Sequence, residues 1–185
     1  MPRYIEVIDY RQEWQFHYEK EVRLLRNVFG PTQSRIHHIG STSVPGMKAK
    51  PIIDILIEIK PGTIVEDFYE QMRELGYDCR GECLDARVPG TPGRYYFSKD
   101  KNGKRYCQVH VCHEGHFQIV ELIALRDYLR EHPDRAAKYG ELKCRLASEF
   151  ARNNVEYMRG KDKFIKQLIL EAMEWKGAYN TRRSG

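Results

Sequence analysis

The alternation of apolar and polar positions begins with Ile5-Glu6-Val7-Ile8, which predicts a short strand. Trp14, Phe16, Tyr18, Val22, Leu24, Leu25 and Val28 then recur at roughly helical spacing, predicting a helix from Tyr10 to Asn27 that stops at Gly30-Pro31. Arg35 to Ile39 and Ile52 to Ile59 read as strands. The second is nearly continuous Ile and Leu, as expected for a central strand covered on both faces. Pro61-Gly62 is a turn signal, and Ile64 to Leu75 reads as a helix closed by Gly76.

Tyr77 to Arg80, Arg94 to Lys99 and Arg105 to Cys112 are strand-like. Lys101-Asn102-Gly103-Lys104 between the last two is a hairpin signal. Val88 to Gly93 is rich in Pro and Gly and reads as a loop. From His116 onward the pattern is helical, with helices expected near 116–131, 134–151 and 161–176 and Pro133 opening the second. This order predicts an α+β fold: a small mixed β-sheet flanked by helices, with a helical C-terminal part over about 116–178, in a single domain covering 1–185.

Composition narrows the class. The 41% hydrophobic content is ordinary for a globular protein. No apolar run approaches the roughly 18 residues that span a bilayer. The start of the chain lacks the apolar core of a signal peptide, so a cytoplasmic location is expected, with no membrane partner. The net charge of +5 comes from 31 basic residues set against 26 acidic ones, a small excess that suits a solvated surface and only weakly suggests RNA. Five cysteines without an export signal argue against a disulfide framework. Zinc held by Cys79, Cys83, Cys107 and Cys112 with nearby histidines is disfavoured by loose spacing, so reduced thiols are expected.

Chemistry concentrates between His37 and Ile57. Gly40 and Gly46 allow close backbone approach, Ser41, Thr42 and Ser43 add hydroxyls, and Lys48 and Lys50 add charge. Such a turn can form an anion-binding nest, although its spacing is not that of a P-loop. Asp54 stands within an apolar run, where a carboxylate needs a partner: Lys50, a turn N–H, or a ligand at the mouth of a site.

These residues bring a family into view. His38-Ile39-Gly40-Ser41-Thr42-Ser43-Val44-Pro45-Gly46 with Ala49-Lys50-Pro51-Ile52-Ile53-Asp54 resembles the GrpB family of bacterial proteins. The resemblance recurs in Gly93-Arg94-Tyr95-Tyr96-Phe97, in Val109-His110-Val111, and in Arg126-Asp127-Tyr128-Leu129-Arg130 followed by Pro133 and Leu142-Lys143. That family is similar to the nucleotidyltransferase superfamily, whose fold is polymerase-β-like. The resemblance implies that Gly40 and Ser41 occupy a phosphate-binding turn and that Asp54 matches the first of the acids that hold Mg²⁺. The second acid of that pattern is replaced by Leu56. Glu58 shares the face of Asp54 but lies further along the strand, and Gln108, His110 and Cys112 share a face of a later strand without an acid.

The candidate site residues are therefore Asp54 and His110 for catalysis, with Asp54 also the metal ligand and His110 a general base or metal ligand. Gly40, Ser41, Thr42, Lys50, Arg94 and Arg126 are the phosphate or ligand contacts. Arg126 and Asp127, adjacent on a helix, are expected to point apart. Glu82 is a possible compensating acid, more simply an exposed turn residue, and Lys143 and Lys161 are expected to be exposed. The implied ligand is a nucleotide or phosphorylated small molecule and the implied cofactor Mg²⁺. Three functions stay open: nucleotidyl transfer, nucleotide or phosphate binding without catalysis, and an RNA-binding accessory role.

Overall fold

The computed structural model describes residues 4–30, 34–82 and 92–177. Residues 88–91 of the loop expected over Val88 to Gly93, and Cys83, lie outside them. The chain divides into two compact units. One comprises Glu13–Ile39 and Ile52–Ile119; the other comprises Met1–Gln12, Gly40–Pro51 and Val120–Gly185.

The first unit is built on a mixed sheet. Its elements are α1 (Glu13–Phe29), β1 (Ser34–Ile39), β2 (Ile53–Ile59), α2 (Tyr69–Glu74), β3 (Tyr77–Glu82), β4 (Arg94–Lys101) and β5 (Lys104–His113). Among the described residues the sheet has five strands in the order β1-β2-β5-β4-β3. β2 and β5 run parallel; the other pairs are antiparallel. The Ile-rich run thus lies between two strands, as its composition predicts.

One face of the sheet is apolar. Ile53, Ile55, Ile57, Val109, Val111 and Phe97 are all buried, alongside Trp14, Val22, Leu25 and Phe29 of α1. The expected stripe of α1 is corrected at two places: Phe16 is 60% exposed, and Glu21 is buried instead. Glu21 is tolerated because Tyr77 Oη donates to it at 2.6 Å and Lys99 Nζ donates at 3.0 and 3.2 Å.

The Lys101–Lys104 hairpin forms as expected. Asn102 and Gly103 have φ of 52° and 72°, the left-handed pair that a tight hairpin turn requires. The helix expected over 64–75 is a 3-10 turn, Val65–Phe68, leading into the short α2. Gly76 follows with φ of 83° and donates to Arg73 O at 2.8 Å.

The second unit is helical: most of α3 (Phe117–Glu131), with α4 (Pro133–Glu149) and α5 (Asn154–Trp175). Val44 and Met47 join Ala124, Leu129, Leu168 and Ala172 in its main core, and Ile5, Leu146, Ala147 and Tyr157 form a second cluster. The strand expected at Ile5–Ile8 is a single bridge, Ile8 to Ala49, with both N–H···O distances 2.9 Å. α5 begins at Asn154 rather than near 161, and Asn153 caps it by accepting from Glu156 N–H at 3.2 Å. No helix of the described residues is long and apolar enough to cross a membrane.

Candidate ligand-binding face

Alternation along each strand sets one polar face of the sheet opposite the apolar one. Register fixes its rows. Asp54 pairs with Gln108, which pairs with Ser98. In the next row Leu56 pairs with His110, which pairs with Tyr96. Beyond it stand Glu58, Cys112 and Arg94. Asp54, His110 and Arg94 therefore share a face. Asp54 is partly buried rather than enclosed.

A bulge brings in a residue that the sequence does not announce. Lys99 pairs with Cys107, but the next pair is Asp100 with Arg105, so β5 spends one extra residue there. Arg105 consequently shares the polar face. Its Nε donates to Asp100 at 2.6 Å and its Nη1 to Tyr96 Oη at 2.8 Å. Burial pushes the Tyr96 phenol upward in pKa; the charge of Asp54 adds to this and that of Arg105 opposes it.

His110 stacks on Tyr96, with ring centroids 5.3 Å apart. Its Nδ1 is buried although the residue as a whole is only partly so. Desolvation, with the charge of Arg94 second, lowers its pKa to about 3. The imidazole is neutral at physiological pH and a weak base. Arg94 itself donates to Gln118 Oε1 at 2.9 Å. Further along the face, Glu58 is taken up by His37 Nε2 at 2.5 Å and Arg35 Nη2 at 3.3 Å. Glu82 receives Gly93 N–H at 2.5 Å, tying the start of β4 to the end of β3.

The remaining sequence-derived residues belong to the other unit. Gly40 has φ of 69° and ψ of −174°, a backbone state that favours glycine. It opens a 3-10 turn, Ser41–Ser43, in which Thr42 is buried. Ser43 Oγ donates to Gly40 O at 2.6 Å, and Arg130 donates twice to Ser43 O, at 2.9 and 2.7 Å. Arg130 thereby fixes the turn, a role the sequence reading missed. Lys50 lies over the Tyr157 ring at 5.2 Å. Two expectations are corrected. Arg126 and Asp127 do not point apart: Nε donates to Asp127 Oδ1 at 2.8 Å, because a long side chain can fold back along the helix. Lys143 is not exposed: it is 3% accessible, with its ammonium 4.7 Å from the Tyr139 ring centroid.

The family model described as "GrpB protein" matches residues 4–171. The chain belongs to the GrpB family. The YqkA protein of Bacillus subtilis (strain 168) is 42% identical over 178 residues, covering 96% of this chain and 50% of its own length, so the chain spans about half of that relative. The crystal structure of the conserved protein GrpB from Enterococcus faecalis has a TM-score of 0.84 at 34% identity, covering 92% of this chain and 99% of its own. Cid1 in complex with its short product ApU has a TM-score of 0.51 at 16% identity, over 74% of this chain and 42% of Cid1. The fold of this GrpB chain is nucleotidyltransferase-like.

That fold implies Mg²⁺, and the donor set of this chain fits it poorly. Mg²⁺ prefers about six oxygen ligands in octahedral order, usually with carboxylates and water. Asp54 is the single acid of its row, beside an amide and a hydroxyl. Leu56 fills the second position, and Glu58 is engaged elsewhere. The described residues hold no group of three or more His, Cys, Asp or Glu suited to a metal. A two-metal centre does not fit this face.

Proposed function

We propose that the protein binds a nucleotide or other phosphorylated small molecule on the polar face of its sheet, and that binding does not depend on Mg²⁺. The observation that carries this reading is the row Asp54–Gln108–Ser98, one carboxylate flanked by neutral hydrogen-bonding groups. Asp54 acts there as a hydrogen-bond acceptor for the ligand. Arg105, held by Asp100 and Tyr96, uses two of its five N–H groups in those bonds and keeps donors for an anion. His110, being neutral, contributes hydrogen bonding and stacking rather than proton abstraction. Separately from this face, the family resemblance implies phosphate contacts at Gly40, Ser41, Thr42, Lys50 and Arg126, each to be tested by substitution.

The test is a thermal-shift panel of nucleotides and phosphorylated metabolites, each in Mg²⁺ and in EDTA. A ligand present at about 100 times its Kd stabilises the fold by about 2.7 kcal/mol. Equal shifts in both buffers are expected. Asp54→Asn is expected to weaken binding about 10-fold or more, the loss of a hydrogen bond to a charged group. Shifts seen only with Mg²⁺ would overturn this reading and favour nucleotidyl transfer.

A further inference from the structure

The binding scheme above gives two atoms of the polar face no specific ligand group. Ser98 is 1% exposed, and neither its Oγ nor His110 Nδ1 has a hydrogen-bond partner among the described residues. A buried polar atom without a partner costs about 1–3 kcal/mol. Two on one face of one sheet call for an explanation. Register sets them in neighbouring rows, Ser98 beside Gln108 and His110 beside Tyr96. Diagonal neighbours of this kind have Cβ atoms about 7 Å apart, so their polar tips can share one small ligand group.

The chemistry of the two atoms restricts that group. Ser98 Oγ both donates and accepts, and a neutral imidazole nitrogen does one or the other according to tautomer. An anion at this point would adjoin the carboxylate of Asp54 in the same row. An ammonium offers donors alone. A hydroxyl donates and accepts, and two adjacent hydroxyls satisfy both atoms at once. Asp54, Gln108, Tyr96 and His110 are partly exposed while Ser98 Oγ and His110 Nδ1 are enclosed behind them, so a ligand lying on this face meets the two atoms through local side-chain rearrangement. The serine hydroxyl can turn toward it by rotation about one bond.

We propose that Ser98 and His110 recognise the vicinal diol of a sugar, ribose being the simplest case, carried by the phosphorylated ligand. This rests on the binding function proposed above and specifies the ligand as a ribosyl or similarly hydroxylated phosphate. A buried water would satisfy the same atoms, and the experiment separates the two.

The experiment is calorimetric titration of the full chain and of Ser98→Ala with ribonucleoside triphosphates, their 2′-deoxy and 3′-deoxy counterparts, and inorganic tripolyphosphate. The wild type is expected to prefer the ribonucleotides by about 10-fold, the worth of one or two hydrogen bonds. Ser98→Ala is expected to bring that ratio close to 1 while the free protein melts no lower than the wild type, because the substitution removes a buried hydroxyl without a partner among the described residues. In a long-range ¹H–¹⁵N spectrum, the Nδ1 signal of His110 should move with the ribonucleotide and stay in place with tripolyphosphate. If ribo and deoxy forms bind alike, or the preference survives Ser98→Ala with His110 unmoved, the diol proposal falls while phosphate binding stands. If neither tripolyphosphate nor any nucleotide binds, both fall.

Discussion

Glu21 and His110 lie on opposite faces of the same sheet and answer burial in opposite ways. Glu21 keeps its place in the apolar face through Tyr77 and the ammonium of Lys99. At His110, desolvation and the charge of Arg94 both disfavour the cation, so it stays neutral. This fixes a pH dependence. An unfolded imidazole titrates near about 6.5, whereas the folded one titrates at about 3. As pH falls below the unfolded value, the unfolded chain takes up a proton that the folded chain refuses. The stability associated with His110 is thus complete above about pH 6.5 and is lost progressively as pH falls toward about 3. Urea midpoints are expected to drop between neutral pH and about pH 4, and to drop less in His110→Phe. Equal drops would refute the assignment. At this scale the sequence discloses Asp54 and His110, since an acid or histidine within an apolar strand stands out. It does not disclose Ser98 or Arg105. Ser98 matters only through its pairing with Gln108, and Arg105 reaches the face only because of a bulge. Both depend on strands distant in sequence.

Elements followed the local pattern wherever the pattern was strong. The hairpin at Asn102-Gly103, the β2 run and α4 opening on Pro133 formed as expected. Misreadings occurred where tertiary packing decides. Ile5–Ile8 has strand composition but one bridge partner, and it docks through Ile5 N–H to Ala151 O at 2.8 Å instead. α5 begins about two turns before the expected start near 161, and Gly160 lies inside it. The structure gives that glycine a purpose. A Cβ built at Gly160 would lie 2.5 Å from Leu146 Cδ2 and 3.1 Å from Cδ1, so a side chain there requires the Leu146 side chain of α4 to move. Gly160→Ala gains about 1 kcal/mol of helix propensity and meets an overpacking cost of about 1–3 kcal/mol. A net loss of about 1 kcal/mol is expected from these opposing contributions. In a Leu146→Ala background the clash is gone, and Gly160→Ala should become neutral or stabilising. A double-mutant cycle in urea measures the coupling. Strict additivity would show that Leu146 rotates aside at no cost.

At the scale of the whole molecule, the order in which the chain visits its two units has a thermodynamic consequence. It passes from one to the other after Gln12, Ile39, Pro51 and Ile119, so neither unit is a continuous stretch of sequence. β1 and β2 pair with each other, yet the segment joining them, Gly40–Pro51, supplies Val44 and Met47 to the core of the helical unit. Unfolding the sheet frees both ends of that segment, and its ordering in the helical core then has to bear the full entropy of closing the chain. Melting the helical unit likewise loosens the β1–β2 connection. Connectivity alone therefore argues that the units unfold together, as a single domain over 1–185 would. The two tryptophans make this measurable, because Trp14 is buried in the sheet unit and Trp175, 46% exposed, belongs to the helical one. Trp175→Phe leaves a reporter on the sheet unit and Trp14→Phe a reporter on the helical unit. Trp14 is the more deeply packed, so its loss shifts the midpoint downward. Each variant is therefore compared with its own far-ultraviolet transition rather than with the other variant. Coincidence of fluorescence and circular dichroism midpoints within each variant is the expected result. A fluorescence transition separated from the backbone transition in either variant would mean that one unit holds its structure without the other, and that the chain is two domains threaded through one another.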